Sequence, residues 1–151
     1  MSQPPSSPPE TKPVVVPRAA ASLAVFKDRE VLLVRRAKPP VAGLWSLPGG
    51  HVEPGETAMA AAIRELAEET SCTARDVRLA DIHDVILRDE TGCVTRQFMI
   101  AVHAGVWESG VPVAGDDADE AQFVSLDALG QLEMTASARE IIERAAALLG
   151  I

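Results

Sequence analysis

Residues 57–70 limit what this chain can fold into more than any other stretch. The run TAMAAAIRELAEET has no glycine and no proline, and Ala, Glu, Arg and Leu dominate it. These residues lose little freedom on entering a helix. Thr57 is a suitable N-cap, and the Pro54-Gly55 turn before it prevents an earlier start. At about 100° per residue, Met59, Ile63, Leu66 and Thr70 fall together on one side, which predicts a core-facing stripe. Glu65, Glu68 and Glu69 fall within an arc of about 100° on the opposite side.

The rest of the chain must supply something for that helix to pack on. Ala20–Phe26 and Val31–Val34 are apolar runs parted by the polar Lys27-Asp28-Arg29-Glu30, the pattern of a hairpin. A proline-containing loop over Lys38–Pro48 leads to a short strand around Gly50–Glu53. Three more strands are expected at Val77–Leu87, Val94–Val106 and Ala121–Val124. Ser137 and Glu140 have capping-box spacing, and Ile141, Ala145, Leu148 and Leu149 make the apolar stripe of a closing helix. Strands, helix, strands, helix in that order predict an α+β fold with a mixed β-sheet packed between helices.

Composition narrows the function. Residues 1–13, MSQPPSSPPETKP, have almost nothing that can pack and read as a disordered Pro/Ser-rich tail, leaving 14–151 as a single domain. The tail has neither the basic start nor the apolar stretch of a secretory signal, and no apolar run reaches bilayer length. A cytoplasmic protein without a membrane partner is expected. Cys72 and Cys93 form no paired motif and read as reduced thiols. Fourteen Lys and Arg against 22 Asp and Glu give a formal net charge of -8. Such a chain is ill suited to gripping polymeric nucleic acid through its phosphates. An anionic substrate would need a local source of positive charge, and a bound divalent cation is one.

Three glutamates at i, i+3 and i+4 repel one another and weaken an isolated helix. A hard cation gains from the same arrangement, because magnesium takes carboxylate oxygens and leaves its other positions to water and phosphate. Taken alone, the three glutamates also fit a solvated acidic face. Their setting decides between the readings: Gly50-x5-Glu56-x7-Arg64-Glu65-Leu66-x-Glu68-Glu69-x-Ser71-Cys72. This pattern resembles the box of the Nudix hydrolases, G-x5-E-x7-R-E-U-x-E-E-x-G-U with U aliphatic. Every charged position matches, and the lead-in from Gly43 to Gly50 is familiar from the family. Phe123–Leu129 is similar to its late strand and turn, so the likeness runs from about Ala20 to Leu149. Two positions depart from it. Ser71 stands where the family has glycine, and Cys72 stands where it has an aliphatic residue. A left-handed cap at Ser71 would cost roughly 1 kcal/mol or more.

The resemblance implies a Nudix fold and a magnesium-dependent pyrophosphohydrolase, with manganese as an alternative ion. It implies that Glu65, Glu68, Glu69 and the Gly49 carbonyl hold the metal, and that Glu56 and Arg64 are the supporting pair. The proton acceptor stays open among Glu68, Glu69 and a loop group: Asp116, Asp117, Asp119 or Glu120. Arg35 and Arg36 either bind phosphate or close a strand end in solvent, and Trp45 reads as loop packing rather than a base platform. His51, His83 and His103 have no ligand spacing.

Family subgroups carry extra signals, and most are missing. No proline occurs from Cys72 to Val111 and the chain has no tyrosine, which disfavours the ADP-ribose, NADH and dinucleoside polyphosphate patterns. A small nucleotide substrate, a nucleoside triphosphate or nucleotide sugar, is expected by elimination. The alternative from another class is a Nudix-fold module that senses a nucleotide without cutting it. Homodimers are frequent in the family.

Overall fold

The computed structural model describes residues 1–9 and 11–151. Glu10, part of the expected tail, lies outside the described residues. The first regular element is β1 (Arg18–Lys27), which turns at Asp28 (φ 53°) into β2 (Glu30–Arg36). The short β3 (Trp45–Ser46) and β4 (Gly49–His51) follow, then helix α1 (Ala58–Thr70). Two long strands, β5 (Thr73–Arg88) and β6 (Val94–Ser109), form a hairpin. After β7 (Ala118–Ser125) come a 3-10 helix at Leu126–Gln131 and α2 (Ala138–Leu149).

The sheet is mixed, as expected. β1 runs parallel to β6 along its whole length, while every other strand pair is antiparallel. The β1–β2 hairpin stays paired only near its turn, at Phe26–Val31 and Lys27–Glu30. Beyond those pairs the two strands take different partners. β1 goes to β6 and β4, and β2 goes to β7 and β3. Alternation along β1 divides the core between the two helices. Ala21, Leu23 and Val25 face Ala61, Ala62 and Leu66 of α1. Ala24 and Phe26 face Ile141, Ile142 and Ala145 of α2.

Two helix expectations need correction. In α1 the buried residues are Ala61, Ala62, Leu66, Glu69 and Thr70, while Met59 and Ile63 are exposed. The helix is rolled so that its small alanines meet the sheet closely, and the larger side chains overhang its edge. Glu69 therefore points inward rather than away from the core. In α2 the capping box does not form. Ser137 is left-handed (φ 65°) and its side chain makes no cap bond, because that bond needs the extended backbone of an ordinary N-cap. Leu148, assigned to the apolar stripe, is exposed, and Ile142 and Ala146 are buried in addition to Ile141 and Ala145.

Candidate active site

The loop from β4 brings Gly49 and Gly50 against α1. A Cβ on Gly50 would collide with the carboxylate of Glu65, and one on Gly49 would collide with the backbone of Ala21 and Ser22. Glycine is required at Gly49, where strand backbone lies against it, whereas at Gly50 a Cβ would displace the carboxylate end of Glu65. The Gly49 N–H donates to Glu69 Oε2 at 3.2 Å.

Arg64 organises the rest. Its Nε and Nη2 grip both oxygens of Glu56 at 3.1 and 2.7 Å, a bidentate pair. Nη1 donates to Glu65 Oε1 at 3.0 Å and to Glu68 Oε2 at 3.1 Å, and Nη2 also reaches the His51 carbonyl at 3.1 Å. Five hydrogen bonds hold one guanidinium. The anions around it raise the Arg64 pKa, and in return Arg64 and the Glu53 N–H hold the Glu56 carboxyl below its usual range. The sequence pattern placed Glu56, Arg64, Glu65 and Glu68 near each other, and the structure brings all four together.

Glu69 differs from its neighbours. It is only 4% exposed. Burial pushes its carboxyl up to about 7, opposed by Arg36 and the Gly49 N–H and reinforced by Glu65 and Asp117. Its nearest cation, Arg36 Nη1, stands 3.8 Å from Oε1, too far for a hydrogen bond. A buried carboxylate with one amide donor and a distant guanidinium is poorly compensated. A divalent cation would supply what it lacks, and the surrounding donors are hard carboxylate oxygens of the kind magnesium prefers. The residues therefore fit such an ion. Among the described residues no three His, Cys, Asp or Glu groups converge on one point: Arg64 Nη1 holds Glu65 and Glu68 together, and Glu69 accepts from the Gly49 N–H.

The segment after β6 closes the far end of the site. Val113 N–H donates to the Thr70 carbonyl and Gly115 N–H to the Glu69 carbonyl, at 2.9 and 3.1 Å. Gly115 lies so close that a Cβ would strike the Glu68 carbonyl. This contact brings the acidic loop beside α1, an arrangement that helical periodicity cannot show. Asp116 is left-handed (φ 51°), and Ala118 N–H closes the turn onto Gly115. Asp117 pairs with Lys38, while Asp119 and Glu120 pair with Arg35. Arg35 is thus committed to the loop, whereas Arg36 faces Glu69. Trp45 is buried in the α2-side core, as its loop-packing reading implied.

Ser71 takes the left-handed conformation (φ 61°, ψ 19°) that glycine would favour, and its N–H donates to Ala67. Cys72 fills the apolar position, fully buried in the α1-side core. Both departures from the motif keep the helix exit on its course.

A family model described as NUDIX domain matches residues 16–145. The ADP-ribose pyrophosphatase of Methanocaldococcus jannaschii is 36% identical over 117 residues, which cover 77% of this chain and 66% of that protein. A putative 8-oxo-dGTP diphosphatase of Mycobacterium tuberculosis is 46% identical over 59 residues, covering 38% of this chain and 42% of that protein. The chain thus spans just under two thirds of the first relative and less than half of the second. Among solved structures, a MutT NUDIX hydrolase from Burkholderia pseudomallei superposes with a TM-score of 0.74 at 27% identity, covering 85% of this chain and 98% of that one. The NUDIX domain of Shewanella oneidensis NrtR, complexed with ADP ribose, superposes at 0.71 and 22% identity over 95% of this chain and 94% of that one. At that identity the likeness speaks for the fold.

Proposed function

Since this chain belongs to the Nudix family, we propose that it hydrolyses the phosphoanhydride of a nucleoside diphosphate derivative, using a divalent cation held on α1. The observation that carries this reading is the buried, under-compensated Glu69 carboxylate beside Glu65 and Glu68. Magnesium is the first choice of ion and manganese the second, with Glu65, Glu68, Glu69 and the Gly49 carbonyl as ligands. When bound, the ion supplies charge to the diphosphate and acidity to a water. Arg64 keeps Glu65 and Glu68 oriented and is itself locked by Glu56, in the manner of groups that position metal ligands. Arg36, beside Glu69, is available to a phosphate oxygen. Glu68 is the most exposed of the three glutamates at 43% of its side chain, which suits it to accept a proton from water. Asp117, Asp119 and Glu120 are held by cations and suit that task less.

Nucleoside triphosphates and nucleotide sugars are the substrates proposed first. The names of the relatives add ADP-ribose and 8-oxo-dGTP to the panel to be tested. The decisive experiment is a magnesium-dependent hydrolysis screen over that panel, with Glu69→Gln alongside. Cleavage that needs magnesium and falls by orders of magnitude in the variant is expected. Near-normal turnover by Glu69→Gln would sink the metal assignment. Binding without any cleavage would instead favour the nucleotide-sensing module.

The remaining expectations stand as proposals. Residues 1–13 are a tail outside the catalytic domain. No helix among the described residues is long and apolar enough to cross a membrane. A cytoplasmic setting is part of the same proposal. The partner is a small nucleotide, and the chain pairs with a second copy of itself.

A further inference from the structure

The two arginines that end β2 are treated differently by the acidic loop. Arg35 is captured, with Asp119 at 2.7 Å and Glu120 at 3.1 Å. Arg36 is not. Among the described residues its guanidinium donates no hydrogen bond, and its nearest carboxylate is Glu69 at 3.8 Å. A guanidinium carries five N–H donors, and these are left open to a ligand arriving from solvent.

Two carboxylates stand close enough to claim Arg36, and each has another partner. Glu69 accepts from the Gly49 N–H at 3.2 Å. Asp117 takes the Lys38 ammonium at 2.5 Å. Lys38 holds the Asp117 carboxyl below its usual range, with burial opposing and the Arg36 charge adding to the effect, so Asp117 is within electrostatic reach of Arg36. The backbone fixes this arrangement. The Asp117 carbonyl accepts from the Ala37 N–H at 2.9 Å, and Arg36 is closed onto Leu44 and Gly43 at 2.9 and 2.8 Å. Asp117 is therefore fastened beside Arg36 whichever cation it pairs with. Lys38 is 74% and Asp117 57% exposed, and an ion pair in such open surroundings adds little stability. Its consequence is electrostatic: with Lys38 gone, Arg36 is the cation left to Asp117.

We propose that Lys38 is a positioning residue for the phosphate site, which by occupying Asp117 keeps the Arg36 guanidinium free for a phosphate oxygen of the substrate. The proposal rests on the reading of α1 as the diphosphate site, but binding tests it without turnover. Calorimetric titration of the full chain, in magnesium, uses the methylene analogue of ADP, whose bridging carbon is not hydrolysed. Lys38→Met should weaken its binding at least about threefold, and should raise KM on the best substrate of the screen equally while kcat stays within about twofold. Adding Asp117→Asn to Lys38→Met removes the competitor for Arg36 and should restore both affinity and KM to roughly the wild-type values. Lys38→Arg keeps the charge and should resemble the wild type. Both positions are exposed, and unchanged far-ultraviolet circular dichroism would show that the variants remain folded. Wild-type affinity and KM in Lys38→Met overturn the proposal. A double variant as weak as Lys38→Met also overturns it, because Lys38 would then be touching the phosphate itself. Cleavage with KM unmoved by Lys38→Met rejects this role and keeps the hydrolase. Analogue binding that follows the predicted pattern without cleavage of any substrate keeps the role and rejects the hydrolase. A wild type that binds neither the analogue nor any substrate overturns both.

Discussion

Glu69 shows why one residue can be a liability to the fold and an asset to the site. Its carboxyl in the folded protein is raised from 4.5 to about 7. Between those values the native state binds more protons than the unfolded chain does, so stability of the metal-free protein falls as pH climbs from 4.5 through 7. Above that the loss is complete and constant. A shift of this size corresponds to at most about 3 kcal/mol. Glu69→Gln removes the charge at nearly constant shape and should remove the slope with it. Urea unfolding in chelator at pH 5 and pH 8 should show the wild type losing stability and the variant losing less, by about 1–3 kcal/mol. Equal losses in the two proteins would mean that Glu69 is ionised without strain. The identity of Glu69 was legible in the motif, but its burial was not. The roll of α1 follows from how closely Ala61 and Ala62 meet β1, and a helical wheel lacks that information.

At the scale of elements, the strands and α1 were readable because period and capping act locally. Thr57 accepts from the Ala60 N–H as an N-cap should. Where tertiary contacts decide, local rules failed, as at Ser137, or were silent, as for the two-residue β3. Ser71 tests the boundary between the two cases. Its left-handed cap is held from outside by Gly110, where a Cβ would strike the Ser71 carbonyl. Tertiary packing therefore imposes on serine a conformation that glycine adopts freely. Ser71→Gly should stabilise the protein by about 0.5–1 kcal/mol, since relief of the left-handed strain exceeds the extra chain entropy. Thermal melts with and without the substitution measure this directly. A drop in melting temperature would show that the serine conformation carries little strain.

The whole molecule poses a question that neither the motif nor the core answers, which is what covers its open edge. β5 is the last strand of the sheet. In register, Ile82 faces Ala101 and Asp84 faces Met99, while Ala101 faces Ala21. Ala21 is buried beneath α1, so Ile82, Ile86 and Met99 share the α1 face of the sheet. Ile82 is 47% and Met99 53% exposed, and Met59 and Ile63 overhang from α1. Apolar side chains beside an unpaired edge strand are an arrangement that proteins usually cover or blunt. We propose that a second copy covers it, because an antiparallel β5 pairing centred on Ile82 places Asp81 of each copy opposite His83 of the other. Light scattering should then return twice the chain mass of 16.0 kDa, and Ile82→Lys should return the single mass, since a charge at the centre of a twofold meets its own copy. A wild type that stays at the single mass at tens of micromolar, roughly the range where weak self-association is readily seen, would leave this edge exposed in solution.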